Sequence, residues 1–481
     1  MKRLTVLLLA LALLCGCGAQ TAPPSEPAPA EEPSAPQEQP APVQTGAFCL
    51  AFEEDAGWDP YSCRSACNRL VLQLVYEPLF TVTANGTVDP VLATGWSVSE
   101  DGLVTTVTLR SGVMFHSGAE MTATDVVRSV RLARDGSYYS GRFDLLLDAS
   151  AVDDTTVRFT TSKPYECFPL LLDIPVAGHS ALSKTADGTG AYRLQEGSLR
   201  RFAEWHGGGD DLPRSVVLTA ASSGETLRDA FQFGGVSVTE IDPNGDLPLR
   251  FGGDYEIWDE PTSALQFIAF RMDGLFGDGG LRAAVTCAID RDAVVTGDMS
   301  GYGVATALLA RPGTPWYSGT LAETVTYDPS RLRLLMPTGA SAVMLVCADN
   351  PQRCASARRV ADALHDCGLQ VELKELGAHE FVEALSDGEY DLYYGEMRLS
   401  PDYDFAPLLR AAAGALYEAG SLEALCDLTR ENSGNAYDLQ KAVLTDGLLC
   451  PVAYKTNAVF GKRTLPFAIA PHLNGWVFPT E

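Results

Sequence analysis

The sequence predicts an α/β protein folded in more than one lobe, on three observations. Strand-like and helix-like segments alternate from residue 47 onward, about 435 residues follow a proline-rich spacer, and 46% apolar content goes with only 20% charged residues. A folded part of that length exceeds what one hydrophobic core usually serves, so two or three lobes are expected. Val71 to Phe80 is apolar at helical spacing until Pro78 stops it. The run Phe80 to Val88 holds Asn85-Gly86, the turn pair of a hairpin. Leu103 to Leu109 alternates as a strand, and Thr122 with Asp125 three residues later opens a helix over Val126 to Ala133.

The N-terminus reads as an export signal: Lys2 and Arg3 precede an apolar run from Leu4 to Leu14, too short for the ~20 residues that span a bilayer. Residues 19–46 carry eight prolines and no aromatic residue, the composition of a solvated spacer. As polyproline II at ~3.1 Å per residue it reaches roughly 85 Å.

Composition excludes several classes. Loss of Lys2 and Arg3 with the signal takes the formal charge from −27 to −29, which repels nucleic acid. Ten of the 12 cysteines lie beyond Cys17 without zinc-type spacing, and small buried apolar residues are the default reading for them, although Cys63 and Cys67 are placed to bridge. Gly178-His179-Ser180-Ala181-Leu182 breaks the nucleophile-elbow pattern at its last position, and His379-Glu380-Phe381-Val382-Glu383 lacks the second histidine of a zinc protease helix. No two of the six histidines stand at i, i+4, so no metal ligand set is predicted.

Several segments then carry a resemblance. VYEPLFTVTANGTVDPVLATGWSVSEDGLVTTVTLRSGVMFHSGAEMTATDVVRS (75–129), TGAYRL (189–194), GLRAAVTCAIDRDAVV (280–295), GYGVATALLARPGTPWY (301–317), TYDPSRLRLLM (326–336), DGEYDLYYGEM (387–397) and CPVAYKTNAVF (450–460) resemble, in order, the signature blocks of the family 5 solute-binding proteins of ABC importers. Leu14-Cys15-Gly16-Cys17 likewise resembles a bacterial lipobox, which makes Cys17 the lipidated residue, 1–16 the signal peptide and 17–46 the anchored spacer. The resemblance implies a periplasmic-binding-protein-like fold of two lobes hinged about a ligand cleft. Lobe I would be 47–262 plus 450–481, with an extra subdomain at ~88–188, and lobe II would be 263–449. It implies a monomer on the outer face of the cell membrane, held there by lipid only. Such a protein hands a peptide or peptide-like solute to an ABC permease and its ATPase, with no cofactor and no catalysis. A ligand sensor, a binder of a nickel chelate or oligosaccharide, and an anchored hydrolase are the alternatives.

The same resemblance nominates ligand contacts. In Gly57-Trp58-Asp59-Pro60-Tyr61-Ser62 the residues Trp58, Tyr61 and Ser62 stand where the family's turn faces the cleft; Trp58 suits core packing equally. In Leu399 to Phe405, Asp402 matches the family's acceptor for a peptide ammonium group, with Tyr403 and Asp404 beside it, although Met397 replaces the usual Trp and the spacing is two residues longer. A helix cap is the competing role for one of these aspartates. Arg271 and Arg398 replace the family's usual residues and suit an anionic ligand group, with surface ion pairing as the rival. His116, Arg282 and Ala288 to Arg291 read as turn-tying and helix-capping residues.

Overall fold

The computed structural model describes residues 48–179, 186–195, 197–208, 212–221, 223–245, 253–413, 421–463, 465 and 469–477. The signal, Cys17 and the spacer lie outside them. The principal elements are β1 (Phe48–Phe52), α1 (Ala66–Val75), α2 (Ala123–Asp135), β2 (Ser215–Ala220), β3 (Val238–Ile241) and β4 (Tyr255–Phe270). They continue with β5 (Ser341–Cys347), α3 (Pro351–Asp366), β6 (Gln370–Leu376), β7 (Leu392–Arg398) and β8 (Leu449–Lys462).

Among the described residues these strands form one mixed sheet in the order β6-β5-β7-β4-β8-β3-β1-β2, extended by the hairpin Tyr192–Gln195 and Ser198–Arg201. The two longest strands, β4 and β8, are antiparallel partners along most of their length and belong to both halves of the sheet. Tyr255 to Pro261 pair with Thr456 to Lys462 beside β3, Leu265 to Ala269 pair with Leu449 to Tyr454 beside β7, and the register shifts between Pro261 and Leu265. Pro261 donates no backbone hydrogen bond, which suits a break in the ladder.

In the half bearing β5 and β7 both sheet faces are covered. Phe267, Leu345 and Tyr393 enter one core, while Ile268, Met344 and Tyr394 enter another on the opposite face. Alternate residues of a strand point to opposite faces, so a doubly covered strand reads as a continuous apolar run rather than an alternation. The other half packs α1 and a four-stranded antiparallel sheet, ordered Ala93–Val98, Val104–Leu109, Thr156–Thr161, Leu146–Asp153, into a separate core with α2. The ten cysteines are free thiols, seven of them buried, and Cys63 does not bridge Cys67.

Local signals translate directly. Thr122 caps α2 through the reciprocal pair with Asp125, whose Oδ2 accepts the Thr122 backbone N–H at 3.0 Å. The hairpin pairs Phe80–Val82 with Val88–Pro90, and Gly86 takes φ +73° at its turn. The helix expected after Val71 begins earlier, at Ala66 behind the Ser65 cap, and ends at Val75, where Tyr76 turns to extended backbone at φ −120° two residues before Pro78.

His116 ties its turn to the Thr189–Leu194 block. Its Nε2 meets the Gly190 carbonyl oxygen at 2.8 Å, and Nδ1 accepts the Gly188 N–H at 3.4 Å. Burial lowers its pKa, in keeping with a neutral ring. Gly190 donates its own N–H to the Val75 oxygen at 2.9 Å, and a Cβ there would run into the Leu74 and Val75 backbone. Gly190→Ala is therefore expected to lower stability by about 1–3 kcal/mol in urea unfolding. Gly95→Ala, whose Cβ would meet nothing within 4 Å, stays within about 0.5 kcal/mol of the parent protein. Arg282, 4% exposed, donates to the carbonyls of Phe276, Gly277, Asp446 and Gly447, and Asp290 caps the turn at Ala293, so both are structural as expected.

Candidate functional site

The structure engages most of the nominated side chains in packing, hydrogen bonds or ion pairs. Asp59 accepts the Tyr61 N–H at 2.9 Å, and this short-range turn directs the aromatics inward. Trp58 stacks on Phe52 with ring centroids 4.5 Å apart, and the buried Tyr61 hydroxyl donates to the Pro175 oxygen at 3.0 Å. Ser62 is exposed. Tyr61 is thus buried in the core of its half, while Trp58 packs against that core and stays half-buried.

Arg271, at the end of β4, donates to the Gly388 oxygen at 2.9 Å and pairs with Asp273 at 2.6 Å and Asp391 at 3.5 Å. That is the ion-paired alternative, and it lies at the far end of the strand from the β4 register break. Tyr403 has a left-handed backbone, φ +53°, that turns its ring into the core against Trp316 at 4.9 Å. Asp404 accepts both Arg430 Nη2 contacts, at 2.7 and 2.8 Å, and the Ala406 N–H at 3.0 Å at the start of helix Ala406–Ala413. The capping role thus falls to Asp404. Asp402, 3% exposed, accepts a hydrogen bond from the Tyr165 hydroxyl; burial, then the neighbouring Asp404, raise its pKa.

Arg398 differs from these. It leaves the last residue of β7, opposite Ala264, and its Nη1 reaches the Tyr138 hydroxyl, 3.4 Å away, beyond the end of α2. It thereby joins the two halves of the molecule beside the β4 register break.

Around it lies a polar seam that the sequence reading did not single out. Lys455 Nζ pairs with Asp242 and, at 3.5 Å, with Glu396. Glu396 also accepts from Gln266 Nε2 at 2.9 Å, and Gln266 in turn accepts from the Tyr394 hydroxyl at 2.8 Å and donates to Gln352 at 2.9 Å. Burial disfavours both charges of the Lys455–Glu396 pair, yet each is outweighed by its partners. Glu396 and Asp242 hold the Lys455 amine above its ordinary range, while Lys455 and Arg353 hold the Glu396 carboxyl below its own.

Strand register brings more acids to this face. Glu260 stands opposite Asn457, and Glu240 opposite Val459 two residues on, so all four project to the same side. Asn457 Nδ2 donates to Glu240 Oε1 at 3.0 Å. The available signal was a charged or amide residue interrupting an apolar strand, as in Leu265-Gln266-Phe267, Gly395-Glu396-Met397 and Tyr454-Lys455-Thr456-Asn457. By contrast, a surface hollow of about 510 Å³ lined by Asp298, Tyr327, Arg333 and Arg359 contains none of the nominated residues.

Comparison with known proteins fits this architecture. Residues 87–413 match the family model of bacterial extracellular solute-binding proteins, family 5, middle region. The glutathione-binding protein GsiB of Salmonella typhi is 26% identical over 302 residues, which cover 58% of this chain and 58% of that relative's length. In fold, the ABC transporter substrate binding protein CtaP of Listeria monocytogenes superposes with TM-score 0.72 at 20% identity, over 87% of this chain and 94% of its own. A putative peptide binding protein, AppA of Clostridium difficile, does so with TM-score 0.71 at 17% identity, over 87% and 95%. The shared fold is the two-lobe periplasmic-binding-protein type. With two lobes joined through shared strands and a family match over more than half its length, the chain belongs to the family 5 bacterial extracellular solute-binding proteins.

Proposed function

We propose that this chain is the lipid-anchored, extracytoplasmic substrate-binding component of an ABC import system, a monomer that captures a peptide or peptide-like solute between its lobes and delivers it to a permease coupled to an ATPase. It is a binding protein and not an enzyme. The observation that carries this reading is the polar seam beside the β4 register break, where Arg398 meets Tyr138 and Lys455 joins Asp242 to Glu396. Charged groups between two lobes are suited to hydrogen-bonding the termini and backbone of an extended solute while leaving its side chains free. Closure about the strands common to both lobes is the conformational step. The lobes are read as 47–262 plus 450–481 and 263–449, and β8 pairs with both halves of β4, through 449–454 with the second and 456–462 with the first. Anchoring is through Cys17, which membrane fractionation of Cys17→Ser checks.

Arg398 is retained as the group that meets a ligand anion. Arg398→Ala is expected to weaken solute binding at least tenfold in calorimetry, with Arg271→Ala unchanged. Equal affinities for both variants and the parent protein would remove the anion role. The ligand class itself is tested by mass spectrometry of small molecules released from the denatured purified protein. Peptides are expected, and recovery of a sugar or metal chelate alone would sink the peptide reading.

A further inference from the structure

Glu260 is a buried acid whose hydrogen-bond partner is a second acid, the Glu240 carboxyl. It is 1% exposed, and neither Oε1 nor Oε2 accepts a hydrogen bond from an N–H or hydroxyl of the described residues. Its sheet neighbour Asn457 spends an amide hydrogen on Glu240 instead. Burial, and then the Glu240 carboxylate, push Glu260 well above the usual carboxylate range. Burial raises Glu240 too, against the pull of Arg398, Asn457 and Arg69. Both guanidiniums favour the ionised form of the pair without donating a hydrogen bond to Glu260. Arg69 sits over the Tyr138 ring with Cζ 3.6 Å from its centroid, and Arg398 donates to the Tyr138 hydroxyl.

The other acids of the region are served. Glu396 and Asp242 have Lys455, Asp404 has Arg430, and Asp402 has the Tyr165 hydroxyl. A carboxylate buried with open lone pairs costs free energy that its neighbours do not return. Glu260 lies next to Pro261, where β4 leaves its pairing with the first half of β8, which is where a solute held between the lobes would arrive.

We propose that Glu260, together with Glu240, is the subsite for a primary ammonium group of the solute. An ammonium brings three N–H donors and a full positive charge to two acids that otherwise hold a proton between them, and it replaces that proton with charge-assisted bonds to both carboxylates. The assignment deepens the reading of this chain as a solute-binding protein and rests on it. It moves the ammonium contact away from Asp402, whose carboxylate is already engaged.

The test uses the full chain and three probes in native mass spectrometry: a tripeptide library, the same library N-acetylated, and putrescine. The expected result is that free tripeptides bind, acetylated ones do not, Glu260→Gln and Glu240→Gln each weaken binding at least tenfold, and Asp402→Asn does not. Both Gln variants should melt at or above the parent temperature, since each replaces by a neutral amide one of two buried acids that disfavour each other's ionised form, so lost binding cannot be ascribed to unfolding. If putrescine alone binds and Glu260→Gln abolishes it, the ammonium subsite stands and the peptide reading falls. If tripeptides bind Glu260→Gln as tightly as the parent, or acetylation makes no difference, the subsite is overturned while the peptide reading stands. Binding of neither probe class overturns both.

Discussion

Replacing Lys455 with methionine is expected to lower the stability of the folded protein by about 3–5 kcal/mol, the cost of leaving buried carboxylates without their cation. Lys455 is 4% exposed and stands between Asp242 and Glu396, and the latter is 7% exposed. Methionine fills similar space, so the loss is electrostatic rather than a cavity. Glu396→Gln in the Lys455→Met background should recover part of the loss, because it removes one stranded charge; if it recovered nothing, the pair would not be the source.

The pH dependence has a definite sign. The Glu396 carboxyl is held below its ordinary value in the folded protein, so its pairing contributes stability above the unfolded-chain pKa of ~4.3 and loses it as pH falls through the folded value. The Lys455 amine is held above its ordinary value, so its contribution is complete below ~10.4 and is lost as pH rises through the folded value. The stability difference between the parent protein and Lys455→Met should therefore be largest between those limits and shrink on either side. Urea midpoints across pH measure it, and a difference independent of pH would refute the ion-pair account.

Arg430→Met is the second large loss, again about 3–5 kcal/mol. The Arg430 guanidinium side chain is 10% exposed and forks onto Asp404 while its other arm reaches Asp427 at 2.6 Å. Its removal strands Asp404 next to the buried Asp402, two like charges with no cation between them. Burial disfavours the guanidinium charge, but the Asp404 carboxylate outweighs it and raises the Arg430 pKa, so the guanidinium stays charged across the working range. Arg430→Lys should lose less than Arg430→Met but more than nothing, because an ammonium restores the charge without the planar fork. Equal losses for Lys and Met would mean that packing, not charge, is what Arg430 provides. The backbone oxygen of Arg430 also accepts the Glu166 N–H at 3.0 Å, so disorder here reaches the segment after Thr156–Thr161.

How far the site was legible follows from the range of each signal. Asp404 illustrates the near limit: capping and turn chemistry within a few residues made it a plausible cap, and it is one, yet nothing local announced Arg430, 26 positions away. Trp58 and Tyr61 occupied the right loop, but the side to which their rings turn was set by Phe52 and Pro175. Arg271 and Arg398 looked equivalent as added guanidiniums. One ends among nearby acids, and the other crosses the seam, because they leave opposite ends of the paired strands β4 and β7.

By itself the sequence determined the α/β class, the Thr122–Asp125 cap, the Asn85-Gly86 turn, the structural role of His116 and, through ordered blocks along the chain, the family. These rest on propensities, caps and periodicities that act over a few residues, repeated often enough to be read in order. Only the tertiary structure decided which polar groups meet beside the β4 and β8 strands. Lys455 meets Asp242 across 213 positions, and Asn457 meets Glu240 across 217. Those meetings depend on the register of β3, β4 and β8, and a shift of one residue in any of them would turn its acids to the opposite face of the sheet. That register is fixed by what the strands bury against their neighbours, a property of the assembled fold that no short stretch of chain contains.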